Sequence, residues 1–217
     1  MANDGGANAV TTRACGVESA CRGWSRDGKR RVVEPVDINN LKPEDYRGFE
    51  ARQQREGFTL HEVGVSFNTN FLWFNLNTRP GATDGAPAVE PWRHAWFADP
   101  VFRRAVSLAI DRDAQIHGPF SGWARRNWAV LTAGNPRWHD PTLSGPDHDP
   151  AKARALLASL GFVDRDHDGV LEDAQGHRVS FTMITNADSR VRVAMLELVR
   201  EDLARVGIEV IAQPIDF

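Results

Sequence analysis

Residues 178–213 read RVSFTMITNADSRVRVAMLELVREDLARVGIEVIAQ. Arg178–Thr185 alternates apolar with polar side chains, the period of a strand with one face buried. Asp188 or Ser189 then offers a helix N-cap. Val191, Ala194, Met195, Leu198, Val199, Leu203 and Val206 follow at helical spacing as far as Gly207. From Ile208 the pattern is a strand again. Two strands joined through one helix pair in parallel, because a chain that crosses over a sheet re-enters it in the same direction. The segment therefore predicts an α/β architecture with a mainly parallel sheet.

The same grammar continues toward the N-terminus. In DPAKARALLASLGF (149–162), Asp149 caps, Pro150 takes the first helical position, and Gly161 stops the helix. Ala153, Leu156, Leu157 and Leu160 form its inward face. In WFADPVFRRAVSLAIDRDAQIHG (96–118), Asp99 caps a single helix that Gly118-Pro119 ends. Its apolar stripe is Val101, Phe102, Ala105, Val106, Ala109 and Ile110. Residues 119–148 read as a long connection.

Upstream lies NTNFLWFNLNTRPG (68–81). Phe71–Leu76 is apolar except for Asn75, the pattern of a strand buried on both faces. Phe71, Trp73, Asn75 and Asn77 would share one face, and Leu72, Phe74 and Leu76 the other. Phe58–Gly64 reads as a strand, Leu41–Gly57 as a short helix, and Val32–Ile38 as a strand interrupted by Pro35. Residues 1–31 carry neither period and read as a segment without regular structure. Cys15 and Cys21 sit there, too few ligands for a zinc site. They read as unpaired thiols or a local disulfide.

The chain has 217 residues and a net charge of −3, which gives no global pull toward nucleic acid. No apolar run approaches the ~18–20 residues of a membrane span. The first thirty residues lack an apolar secretory core, so the chain is expected to be cytosolic or to have its native N-terminus elsewhere.

No nucleophile elbow, zinc-binding helix motif, phosphate-cradling glycine loop or dinucleotide fingerprint occurs. The seven histidines are scattered and read as loop or surface residues. Seven tryptophans say more. Trp92, Trp96, Trp128 and Trp138 read as core or loop packing. Trp73 stands mid-strand in an aromatic and asparagine run. Apolar area beside amide donors and acceptors suits a ligand with peptide-like polar groups.

DRDHDGVLEDAQGH (164–177) begins as a calcium loop does, with Asp164, Asp166 and Asp168 alternating before Gly169. Glu172 falls at the ninth position. The twelfth, where such loops carry a bidentate glutamate, is Gln175. Asp-Gly and Gln-Gly are also turn formers. The expectation is an exposed turn that holds no tightly bound ion, with Asp164, Asp166, Asp168 and Glu172 as a weak calcium candidate.

FNTNFLWFNLN, WFADPVFRRAVSLAIDRDAQI, DPAKARALLASLGFVDRDHDGVLEDAQGHRVSFTMITN and EDLARVGIEVIAQPIDF occur in this order. Together they resemble the bacterial extracellular solute-binding protein family 5, the oligopeptide- and dipeptide-binding components of ABC importers. The resemblance covers roughly Val33 to Phe217. It implies an α/β, periplasmic-binding-protein-like two-lobed clamp, with only the end of lobe one and the start of lobe two present. Residues 33–66 would end the first lobe, 67–78 would be the strand crossing between lobes, and 79–217 would begin the second, after a weakly patterned segment 1–32. It further implies a peptide or small-molecule ligand, permease subunits as membrane partners, no cofactor, no catalysis and no nucleic acid. The expected place is the periplasm or, as a lipoprotein, the extracellular face, although this chain shows no signal peptide. Trp73, Phe71, Asn75 and Asn68 are the expected ligand-binding residues. Two other readings compete: a calcium-stabilised interaction module resting on the acidic loop, and an α/β enzyme without a recognisable motif.

Overall fold

The computed structural model describes residues 3–12, 22–24, 30–32, 40–41, 45–56, 59–79 and 87–216. Cys15, Cys21 and most of the strand expected at Val32–Ile38 lie outside them. The elements run in chain order as strands β1 (Asn3–Thr12), β2 (Arg22–Trp24), β3 (Arg30–Val32) and β4 (Asn40–Leu41), then helices α1 (Tyr46–Glu50) and α2 (Gln53–Glu56), then β5 (Thr59–Asn70). Helices α3 (Pro91–Ala98), α4 (Pro100–Ala109) and α5 (Arg112–His117) precede β6 (Ala124–Asn127). Helix α6 (Pro150–Ser159), β7 (Ser180–Asn186), α7 (Arg190–Ala204) and β8 (Glu209–Ile215) complete the order.

The strand–helix–strand unit forms as expected. β7 and β8 pair in parallel from Ser180↔Glu209 to Asn186↔Ile215, and α7 connects them. Ser189, rather than Asp188, is the N-cap of α7, its side chain accepting from Arg192 N. At the other end Gly207 adopts φ 84°, a conformation that costs a Cβ-bearing residue.

The expectation of a mainly parallel sheet is corrected. Among the described residues, parallel pairing is confined to β7 and β8. The larger sheet is antiparallel, in the order β4-β1-β5 with β6 also on β1. β1 comes from the segment read as lacking regular structure, so that reading is corrected too. Its residues, NDGGANAVTT, have small side chains and no alternation. Their ladder rests on backbone hydrogen bonding, which leaves no periodic mark in a sequence.

The long helix predicted after Asp99 is two. Asp99 caps α4 by accepting from Val101 N at 2.6 Å. The chain then becomes extended at Ile110, and Asp111 caps α5 by accepting from Asp113 N and Ala114 N at 2.9 and 3.0 Å. The Asp111 amide itself donates to Asp202 Oδ2 at 2.8 Å, a tie that the helical ladder would forbid. A further helix, α3, precedes Asp99, and Arg103 donates to its final carbonyls, Phe97 O and Ala98 O.

The main core lies between α3, α4, α6, α7 and the β7–β8 pair. It includes Trp96, Phe97, Phe102, Ala105, Val106, Leu157, Phe162, Val179, Phe181, Leu203, Ile208 and Val210. Phe102, fully buried, contacts the rings of Phe97 and Phe162. Each such side chain contributes about 1.5–3 kcal/mol on burial. Of the apolar stripes read from the sequence, Phe102, Ala105, Val106, Ala109 and Ile110 of α4 and its C-cap, Ala153 and Leu157 of α6, and Val199, Leu203 and Val206 of α7 and the turn after it lie in this core, whereas Val101 is half-buried, Ala194 is exposed, and Val191 and Met195 pack against Ile116, Phe120 and Ala124.

Candidate functional site

Residues 71–78 follow directly from β5 but, among the described residues, pair with no strand. The expectation of burial on both faces is corrected. The alternation itself is right: Leu72 and Phe74 pack against the main core. The Phe74 ring lies 4.8 Å from Phe97, 5.9 Å from Phe102 and 6.1 Å from Phe181. The other face is open, with Phe71 at 56% and Trp73 at 69% exposure. Leu76, assigned to the inward face, is 47% exposed, because the chain leaves the core before reaching it. An apolar run alone cannot say whether one covering layer or two will be present.

Phe71 and Trp73 meet at a ring-centroid distance of 5.0 Å, tilted by 37°. Asn75 Oδ1 accepts from Asn77 N at 3.0 Å, and Asn77 Oδ1 accepts from Arg79 N at 3.0 Å. Each asparagine thus fixes the backbone two residues on and keeps its amide NH2 for other partners. Asn68 sits earlier, in β5, where its backbone N–H donates to Ser66 Oγ. No described contact joins Asn68 to the ring pair, so of the four expected ligand residues the structure brings together Phe71 and Trp73, with Asn75 two residues beyond.

Sequence reasoning missed two neighbours of this segment. Phe67 is 71% exposed, giving four large exposed apolar side chains at 67, 71, 73 and 76. Arg192, from the first turn of α7, donates to Asn186 Oδ1 at 2.6 Å and to Asn70 Oδ1 at 3.4 Å. It ties the end of β5 to the carboxyl end of β7, which is where crevices form in α/β sheets. Nothing in a single sequence relates positions 70 and 192.

The remaining tryptophans divide. Trp96 is buried, Trp92 stacks on His177 at 4.4 Å, and Trp128 lies under the Arg112 guanidinium at 4.5 Å. Trp138, expected to pack, is 68% exposed. A shallow cleft of about 470 Å³ lies elsewhere, lined by Arg104, Leu108, Asp147, His148, Asp149 and Lys152. Two of its carboxylates are already engaged: Asp147 with Arg126 at 2.6 Å, and Asp149 in capping α6. It contains none of the aromatic segment.

In the acidic loop, one oxygen each from Asp164, Asp166, Asp168 and Glu172 lies within 4.8 Å of the others. The expected exposed turn is only half right, since Glu172 and Asp173 are buried. Arg178 pairs with Asp168 and holds its carboxyl below the usual range, helped by the Val170 amide. Burial alone would raise the Asp173 carboxyl. Hydrogen bonds from the His177 ring and from the His177 and Gln175 amides outweigh it, and the group lies below its ordinary value.

Residues 35–217 match the family model described as "Bacterial extracellular solute-binding proteins, family 5 Middle". The chain belongs to family 5. Among its relatives, a probable ABC transporter-binding protein of Deinococcus radiodurans is 32% identical over 165 residues, 75% of this chain and 26% of its own length. The oligopeptide-binding protein AppA of Bacillus subtilis is 31% identical over 124 residues, 56% of this chain and 22% of its own length. AppA solved in complex with a nonapeptide superposes with a TM-score of 0.53 at 27% identity, covering 56% of this chain and 24% of that one. An oligopeptide-binding protein OppA gives 0.51 at 28% identity, covering 57% and 19%. This chain thus spans about a quarter of the length of the curated relatives it matches, or less. The fold class read from the sequence, α/β of the periplasmic-binding-protein-like two-lobed kind, is the one these neighbours have. Family 5 is a family of extracellular solute-binding proteins rather than enzymes. Among the described residues no helix is long and apolar enough to cross a membrane.

Proposed function

We propose that this chain works as the solute-capturing component of an ABC-type importer, and that its ligand is a peptide or a similar small solute. The observation that carries the reading is the open aromatic face of residues 71–75. Phe71 and Trp73 present tilted rings to solvent, while Leu72 and Phe74 anchor the same segment in the core. Rings held this way need little further ordering to receive the apolar side chains of a ligand. The Asn75 amide beside them can donate to a peptide carbonyl. Capture requires no bond to be broken, and no paired nucleophile and base occurs in this segment.

On this reading residues 67–78 are the crossing strand between lobes, with 33–66 closing the first lobe and 79–217 opening the second. The partners are permease subunits in the membrane. The place of action is the periplasm or the outer face of the cell, where a lipid anchor would hold the protein. The family name and the peptide-binding relatives support this reading. Calorimetric titration of the full chain with short peptides, oligosaccharides and nickel–histidine complexes tests it. Saturable binding of peptides alone is expected. Binding of sugar or metal complex with no peptide binding would replace the proposed ligand class.

A further inference from the structure

The acidic loop has no part in solute capture as proposed above. Its backbone explains why its carboxylates converge. Val163 and Glu172 form an antiparallel bridge, with N···O distances of 3.0 and 2.9 Å. The bridge closes residues 164–172 into a loop. Within it His167 (φ 63°) and Gly169 (φ 93°) turn the chain back on itself. Asp166 Oδ1 accepts from Asp168 N, Asp164 Oδ2 from Gly169 N, and Asp168 Oδ1 from Val170 N.

One buried oxygen in this cluster has no hydrogen-bond donor. Asp164 Oδ1 is fully buried and accepts nothing. The Glu172 side chain is 9% exposed, and its one hydrogen bond, from Arg165 N, goes to Oε2. Buried carboxylate oxygens without partners are rare in folded proteins. The nearby guanidiniums do not supply them. Arg178 pairs with Asp168 at the exposed rim, and Arg165 stays 4.0 Å from Glu172 Oε2. A cation among the four carboxylates would satisfy Asp164 Oδ1 and relieve the mutual repulsion.

We propose that Asp164, Asp166, Asp168 and Glu172 form a calcium site. The donors are all hard oxygens, which excludes a zinc-type preference for nitrogen and sulfur. Calcium takes six to eight oxygens in flexible geometry, so backbone carbonyls and water complete the shell, whereas magnesium demands a near-ideal octahedron. The missing glutamate at the twelfth position is not decisive here. The Val163–Glu172 bridge carries the ninth-position carboxylate back to the loop's entrance, and Gln175 lies exposed in the next turn. Calcium would also brace the joint below, where Leu171 N donates to Gly207 O at 2.8 Å and Val179 N to Leu171 O at 2.7 Å. The site stands whether or not the chain binds peptide.

Calorimetric titration of the full chain with calcium chloride, with and without magnesium in excess, tests the proposal. One saturable calcium site per chain is expected, with a dissociation constant of roughly 0.1–1 mM, the range of extracellular modules. The melting temperature should rise as calcium is added. Asp166 is exposed and bonds only within the loop, so Asp166→Asn should leave the fold intact and weaken binding by roughly tenfold or more. Glu172→Gln should abolish it, and Asp188→Asn, outside the loop, should leave it unchanged. If the folded native chain takes up no calcium below ~10 mM, the proposal is wrong. It is equally wrong if Asp166→Asn binds calcium as well as the native chain, whatever becomes of Glu172→Gln.

Discussion

Replacing Phe74 by alanine should cost stability, and replacing Trp73, the residue before it, should not. The Phe74 ring faces the core within 4.8 to 6.1 Å of three phenylalanine rings, at positions 97, 102 and 181. Truncating a fully buried phenylalanine costs about 3–5 kcal/mol. Phe74 is only partly buried, so a loss of about 2–3 kcal/mol is expected, of which the ring contacts supply a share. For a chain of this size that is a fall in Tm of roughly 4–12 °C. Trp73 is 69% exposed and, among the described residues, its ring contact is Phe71, so Trp73→Ala should stay within about 0.5 kcal/mol of the native chain. Urea unfolding followed by far-UV circular dichroism measures both. Equal losses, or a larger loss at Trp73, would mean that the segment is turned over relative to the core and that the site assignment fails with it.

Gly207→Ala should destabilise by about 1–2 kcal/mol in the same assay, because φ is 84° there and the new Cβ would meet Leu171 Cγ at 2.6 Å. Asp173→Ala should cost about 1–3 kcal/mol at neutral pH by leaving the His177 and Gln175 amides without their acceptor. Because the folded carboxyl titrates below its unfolded value of ~3.9, this contribution is present above that pH. It fades as the pH falls through the folded value, where native and variant should converge in unfolding curves. Arg192→Ala should speed amide hydrogen exchange at the end of β5, around Thr69 and Asn70, by releasing Asn70 from α7, with little change in global stability. Unchanged exchange would remove Arg192 from the account of the site.

Most of the core was legible because its signals are local. Asp99, Asp149 and Gly207 punctuate helices by their own chemistry, and the stripes through Phe102, Leu157 and Leu203 follow the helical period. The break at Asp111 was not, since its cause is a hydrogen bond to Asp202, ninety-one positions away. The β1 ladder was hidden because backbone pairing needs no side-chain pattern. At the site the alternation of Phe71 and Trp73 with Leu72 and Phe74 could be read, but the exposure of the first pair could not. The reach of Arg192 to Asn70 was invisible for the same reason as the Asp111 tie. In the acidic loop the spacing did bring out Glu172 at the ninth position, but not its burial, which follows from a bridge to Val163 that spacing does not reveal.

On the proposed reading an open aromatic face at Phe71 and Trp73 captures the solute. Intrinsic tryptophan fluorescence of the full chain, titrated with an oligopeptide that the native chain binds, tests it most directly. Phe71→Ala and Trp73→Ala should each weaken binding by about 1–3 kcal/mol while the chain unfolds at the native urea midpoint. Native affinity in both variants would contradict the claim and place the ligand elsewhere on the molecule.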